Sequence, residues 1–333
     1  MWFEKLFGFP ETSYPETKAQ FVVEGNRLRS LANGASFSIG EFSTPSLAEL
    51  RARGRKLAAR GNLRCTHEPI GDVLNLHARP DNHGALFQVA SQFNCLEFAA
   101  PSVVPEDGVS RYAHDPTQGP ACSLAAAAAT VYRNYFVPVG PSEGQTRENQ
   151  IDNLAGVAKE LGPPGRFWQV RNGYTTATAD QLQALAEELT LHDRDELLCA
   201  LRIGLQRQVG VTFARRYEPP AVPVEPIVSQ AFCSAISCGY TSVALALWEP
   251  LASLVLDATY EATLWAAAID AAEGTGSGKV WLTFIGGGVF RNKDEWIATA
   301  IRRALNRLSD FDLDLRIAHY REIDLGMRAA IDS

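Results

Sequence analysis

"VWLTFIGGGVFRNKDEWI", residues 280–297, decides how the rest of the chain is read. Val280 to Ile285 are β-branched, aromatic or aliphatic, the make-up of a buried strand, and from Asp294 to Leu305 apolar residues return at helical spacing. Gly286, Gly287 and Gly288 therefore sit where a strand gives way to a helix. Such a corner turns backbone N–H groups and the positive end of a helix dipole outward, and its usual guest is an anion, most often a phosphate or diphosphate. A ligand-free tight turn needs only one or two residues at positive φ. Three glycines in a row point to a group that approaches the backbone closely.

The surrounding chain is that of an ordinary globular protein: 333 residues, 46% hydrophobic and 21% charged, with 26 Gly and 18 Pro. Lys plus Arg number 31 against 38 Asp plus Glu, a formal net charge of −7, which argues against non-specific nucleic-acid binding. The exception is the basic run Arg51, Arg53, Arg55, Lys56, Arg60. Ser46 and Glu49 precede it at capping-box spacing, so it reads as the solvated face of a helix. The six cysteines form no CxxC pair and no zinc-ligand spacing with the six histidines, so no metal is expected and free thiols in a reducing, cytoplasmic setting are the simpler reading. "MWFEKLFGFPET" lacks the plan of a secretory signal. The stretches Ala121–Val131 and Leu251–Ala272 are too short or too charged to supply about 20 uninterrupted apolar residues, so no membrane span is expected.

Residues 1–65 read as an N-terminal extension whose clearest element is the Ser46-capped helix, and residues 66–333 as the main domain. "GALFQVASQFNCLEF", residues 84–98, opens as a strand and is interrupted by Gln92 and Asn94. A long loop punctuated by Pro and Gly follows, carrying Glu106, Asp107, His114 and Asp115; loops of that length in compact domains usually serve function. "ACSLAAAAATVYRNYF", residues 121–136, reads as one helix of small side chains. Residues from about 145 to 221 form an inserted helical subdomain, with helices over 179–189 and 195–208 ahead of the Pro-rich "YEPPAVPVEP". Residues 227–237 and 314–319 read as strands. Between 248 and 272 a nearly continuous helical stripe runs from Leu251 to Ile269. Alternating strands and helices give an α/β fold, a sheet with helices on both faces.

Four pieces, in this order, resemble the macrodomains. "IGDV" at 70–73 resembles the family's Gly-Asp-Ile segment; "LFQVASQFN" is similar to its strand ending in Ala-Ala-Asn; "LASLVLDATYEATLWAA" resembles the helix before its last core strand; "LTFIGGGVFRN" resembles its second phosphate loop. The ordered set spans about 70 to 305. It lacks the glycine-rich first loop of ordinary macrodomains, and an acidic loop ending "DPTQGPACS" stands in its place. That exchange is similar to the divergent macrodomains that group with the bacterial effector MavL and lie near the poly(ADP-ribose) glycohydrolases. The resemblance implies a macrodomain-like mixed sheet flanked by helices and an ADP-ribosyl hydrolase. Its partner would be an ADP-ribosylated protein, with the arginine linkage and ubiquitin as the related group's substrate, and with neither nucleic acid nor membrane.

It also implies a site. Gly286, Gly287, Gly288, Val289 and Phe290 would cradle the diphosphate, with Gln118 and Gly119 as the opposing wall, Asp72 at adenine and Asn94 near the distal ribose. Asp72 serves equally as a turn or cap residue, and Asn94 as a strand end bonded to its own backbone. Gln92 and Asn94, two apart, point to one side. Opening a ribosyl glycosidic bond passes through an oxocarbenium-like state, which calls for an acid or base beside the anomeric carbon and for no metal or other cofactor, ADP-ribose being ligand and product. Glu106, Asp107 and Asp115 are the candidates, with Glu261 a further one; two aspartates folded to one mouth would raise each other's proton affinity. Two other classes stay open: a reader that binds ADP-ribose without turnover, and a thiol hydrolase using Cys95 or Cys122 with His114, where Cys122 at a helix start would have a lowered pKa.

Overall fold

The computed structural model describes residues 1–58, 61–215, 218 and 226–333; Arg60 and most of the Pro-rich stretch 217–226 lie outside the described residues. Seven strands form one sheet: β1 (Glu41–Ser43), β2 (Arg64–Ile70), β3 (Leu86–Ala90), β4 (Gly204–Gly210), β5 (Ile227–Cys233), β6 (Lys279–Leu282) and β7 (Asp314–Tyr320). Their order is β1-β4-β5-β3-β6-β7-β2. From β5 to β2 every pairing is parallel, whereas β4 runs antiparallel to both β5 and β1. Five strands therefore deliver their carboxyl ends to the same edge, where open α/β sheets take their ligands.

Side chains alternate across the sheet as the pleat requires. Val280 pairs in register with Leu86 and Trp281 with Phe87. The first pair faces the large core, and the second joins a separate apolar cluster on the opposite side. One face is covered by helix α1 (Leu47–Gly54), the 28-residue α6 (Leu245–Ala272), α7 (Asp294–Arg307) and α8 (Leu325–Asp332). The other is covered by α2 (Val73–Ala78), α3 (Gln118–Ala125) and α4 (Ala127–Tyr135). Ser46 caps α1 with Glu49 completing the box, as the spacing predicts.

Several sequence expectations are corrected. The single helix over 121–136 is two, parted at Ala126 (φ −119, ψ 58), where Thr212 and Phe213 donate their N–H groups to the Ala125 carbonyl. The helix expected over 195–208 ends at Ala200, and residues 204–210 are strand β4; pairing along both edges overrides local propensity. The helical stripe of α6 is buried all round from Leu254 to Asp270 because α1, α7 and α5 (Ala179–Leu189) all pack on it. Its acids are matched by arginines: Asp257 by Arg194 and Arg303, Asp270 by Arg207, and Glu261 by Arg51. Arg51 is thus 3% exposed and does not belong to a solvated basic face. No described helix is long and apolar enough to cross a membrane.

Candidate functional site

Two chambers open side by side along the carboxyl edge of the sheet. The larger, about 520 Å³, lies over the ends of β2, β3, β6 and β7 and is walled by Asp72, Phe87, Trp281, His319 and Tyr320. The smaller, about 240 Å³, lies between the end of β3, the start of α3 and the glycine corner after β6. Gln118 and Thr283 line both. Gln118 accepts from the Ala90 N–H at 2.8 Å and donates to the Gln88 carbonyl at 2.8 Å, so its amide continues the ladder of β3 as a neighbouring strand would. Gly119 follows because nothing larger fits: a β-carbon there would stand 1.9 Å from the Ala90 oxygen.

The glycine corner is a loop, not a helix start. α7 begins only at Asp294, so the helix dipole expected from the sequence does not reach the glycines. What faces the chamber is backbone. The N–H groups of Gly286, Gly288, Val289 and Phe290 donate to no acceptor among the described residues, while Gly287 donates to Phe284. Gly286 stands at φ +77, and a β-carbon on it would lie 2.5 Å from Ala235 Cβ and 2.6 Å from the Asn292 amide, whereas one on Gly288 would meet nothing within 4 Å. Asn292 fastens the loop by donating to the Ile236 carbonyl at 2.8 Å. Four residues lining the chamber thus carry unpaired backbone donors, and successive free N–H groups are what binds phosphate oxygens. Gly287 faces away, toward Ile297.

The remaining candidates divide. Asp72 lines the larger chamber and also caps α2, accepting from the Leu74 N–H at 2.9 Å. Gln92 lines the smaller one, but its amide is engaged with the Phe98 backbone at 3.0 and 3.1 Å. Asn94 lines neither: fully buried, it accepts from the Leu96 N–H and donates to Gln150. Phe290 packs against Tyr174 and Tyr240, with ring centroids 5.5 and 5.8 Å away, and Val289 is exposed beside it.

Of the carboxylates expected as acid or base, Asp115 alone reaches the cleft, in the smaller chamber, where it accepts from Thr117 N–H and Oγ1 at 2.9 and 2.6 Å. Asp107 caps its own turn through the Val104 N–H, and Glu106 accepts from the Arg147 N–H, so the two aspartates do not meet at one mouth. Glu261 is corrected outright: it takes Arg51 in a two-point ion pair at 2.6 and 2.8 Å and accepts from Trp265, within the packing of α1 on α6 and away from both chambers. The thiols are corrected too. Cys122 is the fifth residue of α3, fully buried among Val89, Cys95 and Phe232, and burial pushes its pKa well above the ordinary thiol value; Cys95 is pushed up to about 12. His114 is exposed on a separate turn.

Three cleft residues escaped the sequence reading. Tyr174 opens the short strand Tyr174–Thr176, and with Tyr240, 4.9 Å away, it forms an aromatic lip on the smaller chamber. Glu97 forms part of that chamber's wall at 2% exposure. Its segment "CLEF" follows the interruption at Gln92 and Asn94, and nothing in those four residues marks a carboxyl that turns inward. Among the described residues no group of three or more His, Cys, Asp and Glu is placed to hold a metal ion.

No protein-family model matches the chain, and no curated protein matches it. Among solved structures it is similar to the poly(ADP-ribose) glycohydrolase of Deinococcus radiodurans in complex with ADP-ribose, at 14% identity over 87% of this chain and 92% of that one, TM-score 0.47. It is similar also to the poly(ADP-ribose) glycohydrolase of Thermomonospora curvata, at 11% identity over 96% and 97%, TM-score 0.46, and to that enzyme bound to the inhibitor ADP-HPD, TM-score 0.45.

Proposed function

We propose that this chain is an ADP-ribosyl hydrolase that seats ADP-ribose along the two chambers and releases it from modified protein. The observation that carries the reading is the row of unpaired N–H groups at Gly286, Gly288, Val289 and Phe290, facing a chamber that adjoins a second, aromatic one. A diphosphate satisfies those donors. The larger chamber offers a purine flat apolar walls in Phe87 and Trp281, whose rings are parallel within 8°, and a carboxylate in Asp72 for an exocyclic amine. The distal ribose then falls in the smaller chamber beside Asp115.

Asp115 is the group proposed to hand a proton to the departing side chain, since it lines the cleft and is held by Thr117. Arginine is the proposed linkage and ubiquitin the proposed carrier, on the sequence resemblance to the MavL-like group. Calorimetry with ADP-ribose followed by incubation with arginine-ADP-ribosylated ubiquitin tests the reading. Wild type is expected to bind and to release, and Asp115→Ala to lose release while keeping affinity within about tenfold, or about 1.4 kcal/mol. Binding without release by wild type would make the protein a reader, and absence of binding would end the proposal.

A further inference from the structure

Glu97 lies on the loop after β3, walls the smaller chamber, and splits its two oxygens between different tasks. Oε2 accepts from Ser123 Oγ at 2.6 Å and lies 3.5 Å from Arg133 Nη2. Oε1 has no hydrogen-bond partner among the described residues. A buried acceptor left unmatched is costly, and native structures keep few of them outside working sites.

A purely structural role accounts for one oxygen only. Arg133 is fully buried, and Glu97 is its one ion-pair partner among the described residues. Its other donors go to the Cys95 carbonyl, Gln206, Ser123 and Thr130, and its guanidinium lies 3.7 Å over the Phe232 ring. A guanidinium keeps its charge in any protein environment, so Glu97 is held as its ionised counterpart and acts as an acceptor. Were the pair there for stability alone, a two-point contact at ordinary bond length would serve better; instead Ser123 stands in the way and Oε1 is left over. Gly119 leaves room for this arrangement, since a β-carbon there would lie 3.1 Å from Glu97 Cγ. Burial raises the pKa of the carboxyl, while Arg133 and the Ser123 hydroxyl hold it back; the nearby Ser91 hydroxyl donates to the Gln92 and Leu96 carbonyls and leaves Oε1 free. The result is a base with raised proton affinity at a cleft wall.

We infer that Glu97 is a catalytic carboxylate of this cleft and takes the proton of the attacking water through Oε1, an inference that rests on the hydrolase reading given above. In the step, the water oxygen bonds to the anomeric carbon as the bond from that carbon to the departing nitrogen or oxygen breaks. The bonding pair leaves with the departing group, which is protonated by Asp115, and the water proton goes to Glu97. Solvent then returns the proton from Glu97 to Asp115. ADP-ribose and the unmodified side chain result, with one water consumed and no other reactant.

The experiment compares full-length wild type, Glu97→Gln and Ser123→Ala for ADP-ribose affinity and for the pH dependence of release from ADP-ribosyl-arginine protein. Glu97→Gln is expected to lose roughly 10²–10⁴-fold in kcat with ADP-ribose affinity within about tenfold. Because that change also strips Arg133 of its partner, Ser123→Ala provides an independent readout. Its hydroxyl lowers the proton affinity of Glu97, so its loss should move the acid limb of the rate profile to higher pH. Full turnover by a folded Glu97→Gln protein, or an acid limb of Ser123→Ala that superimposes on wild type, overturns the inference and leaves the hydrolase reading standing. Failure of wild type to bind or release ADP-ribose overturns both.

Discussion

His77 shows how far burial alone can set a residue's behaviour. It is fully buried, stacked 3.8 Å from Phe87, with Nδ1 donating to the Val73 carbonyl and Nε2 accepting from the Gln230 amide. Burial lowers its pKa from 6.5 to about 4. The folded value lies below the unfolded one, so under pH 6.5 the unfolded chain takes up a proton that the folded chain refuses. Stability from this group is complete above pH 6.5 and is lost as pH falls toward 4. Between pH 6.5 and 5 the loss is about 1.5 kcal/mol. Urea unfolding at the two values should show wild type losing that much more than His77→Gln; equal losses would remove the assignment. At this scale the sequence was legible where a residue's bonds go to its chain neighbours and opaque where its partner lies far away. Asp72 is both the cap and the chamber wall that its Gly-Asp context allows. Asn94 and Glu261 were misplaced because Gln150 and Arg51, which claim them, lie 56 and 210 residues away in sequence. Glu97 gave no signal, since its meaning depends on Arg133, 36 positions on.

At the scale of the element, the glycine corner separates two neighbouring positions with opposite demands. Gly286 needs its freedom, with φ +77 and no space for a side chain, whereas Gly288 has open space. Gly286→Ala should therefore cost about 1–3 kcal/mol in stability. Gly288→Ala should leave stability within about 0.5 kcal/mol and yet weaken ADP-ribose binding, because the new methyl points into open space at the chamber wall. Thermal melting and calorimetry on the two variants check this, and a Gly288→Ala protein with wild-type affinity would disqualify the corner as a ligand cradle. β3, β5 and β6 were readable because they are short, largely apolar runs that pair in parallel with both faces covered, and β7 because Leu315, Ile317 and His319 alternate with less buried neighbours. β4 was not, because "GLQRQVG" is polar at Gln206, Arg207 and Gln208. Gln206 is buried there with its amide bonded to Arg133 and to the Ile39 and Ala129 carbonyls. The same holds for Ala126, where an unbroken alanine run conceals a break imposed by Thr212 and Phe213.

Across the whole molecule, the N-terminal stretch is a working part of the architecture. Trp2, Phe3, Phe7 and Phe21 form an edge-to-face cluster that reaches Phe213 and Phe136. From it Glu11 extends to the acidic loop, accepting from Val109 N–H at 2.9 Å, Ser110 N–H at 2.6 Å and Tyr135 Oη at 2.8 Å, while Trp2 donates to the Ser110 carbonyl. Gly108 makes room for it at φ +78. Glu11→Ala should then lower stability by about 1–3 kcal/mol, the cost of stranding partly buried donors. It should also reduce turnover by disordering the loop that presents Asp115; unfolding and release assays together would show whether the two effects travel with each other. None of this could be seen in residues 1–40, whose phenylalanines carry no clear period. The irregular stretch around "NGY" was equally silent about Tyr174, which it contributes to the cleft.

Gln118, tied by its amide to β3 on one side and standing between both chambers, divides the cleft into two compartments with a common sill. A compact aromatic fragment would settle in the larger compartment and a small anion against the glycine amides of the other, each held weakly. Joined by a tether that crosses the sill without displacing that amide, the pair would experience one another at millimolar effective concentration, and the length of the tether would become the chief variable in building a tight blocker of this protein.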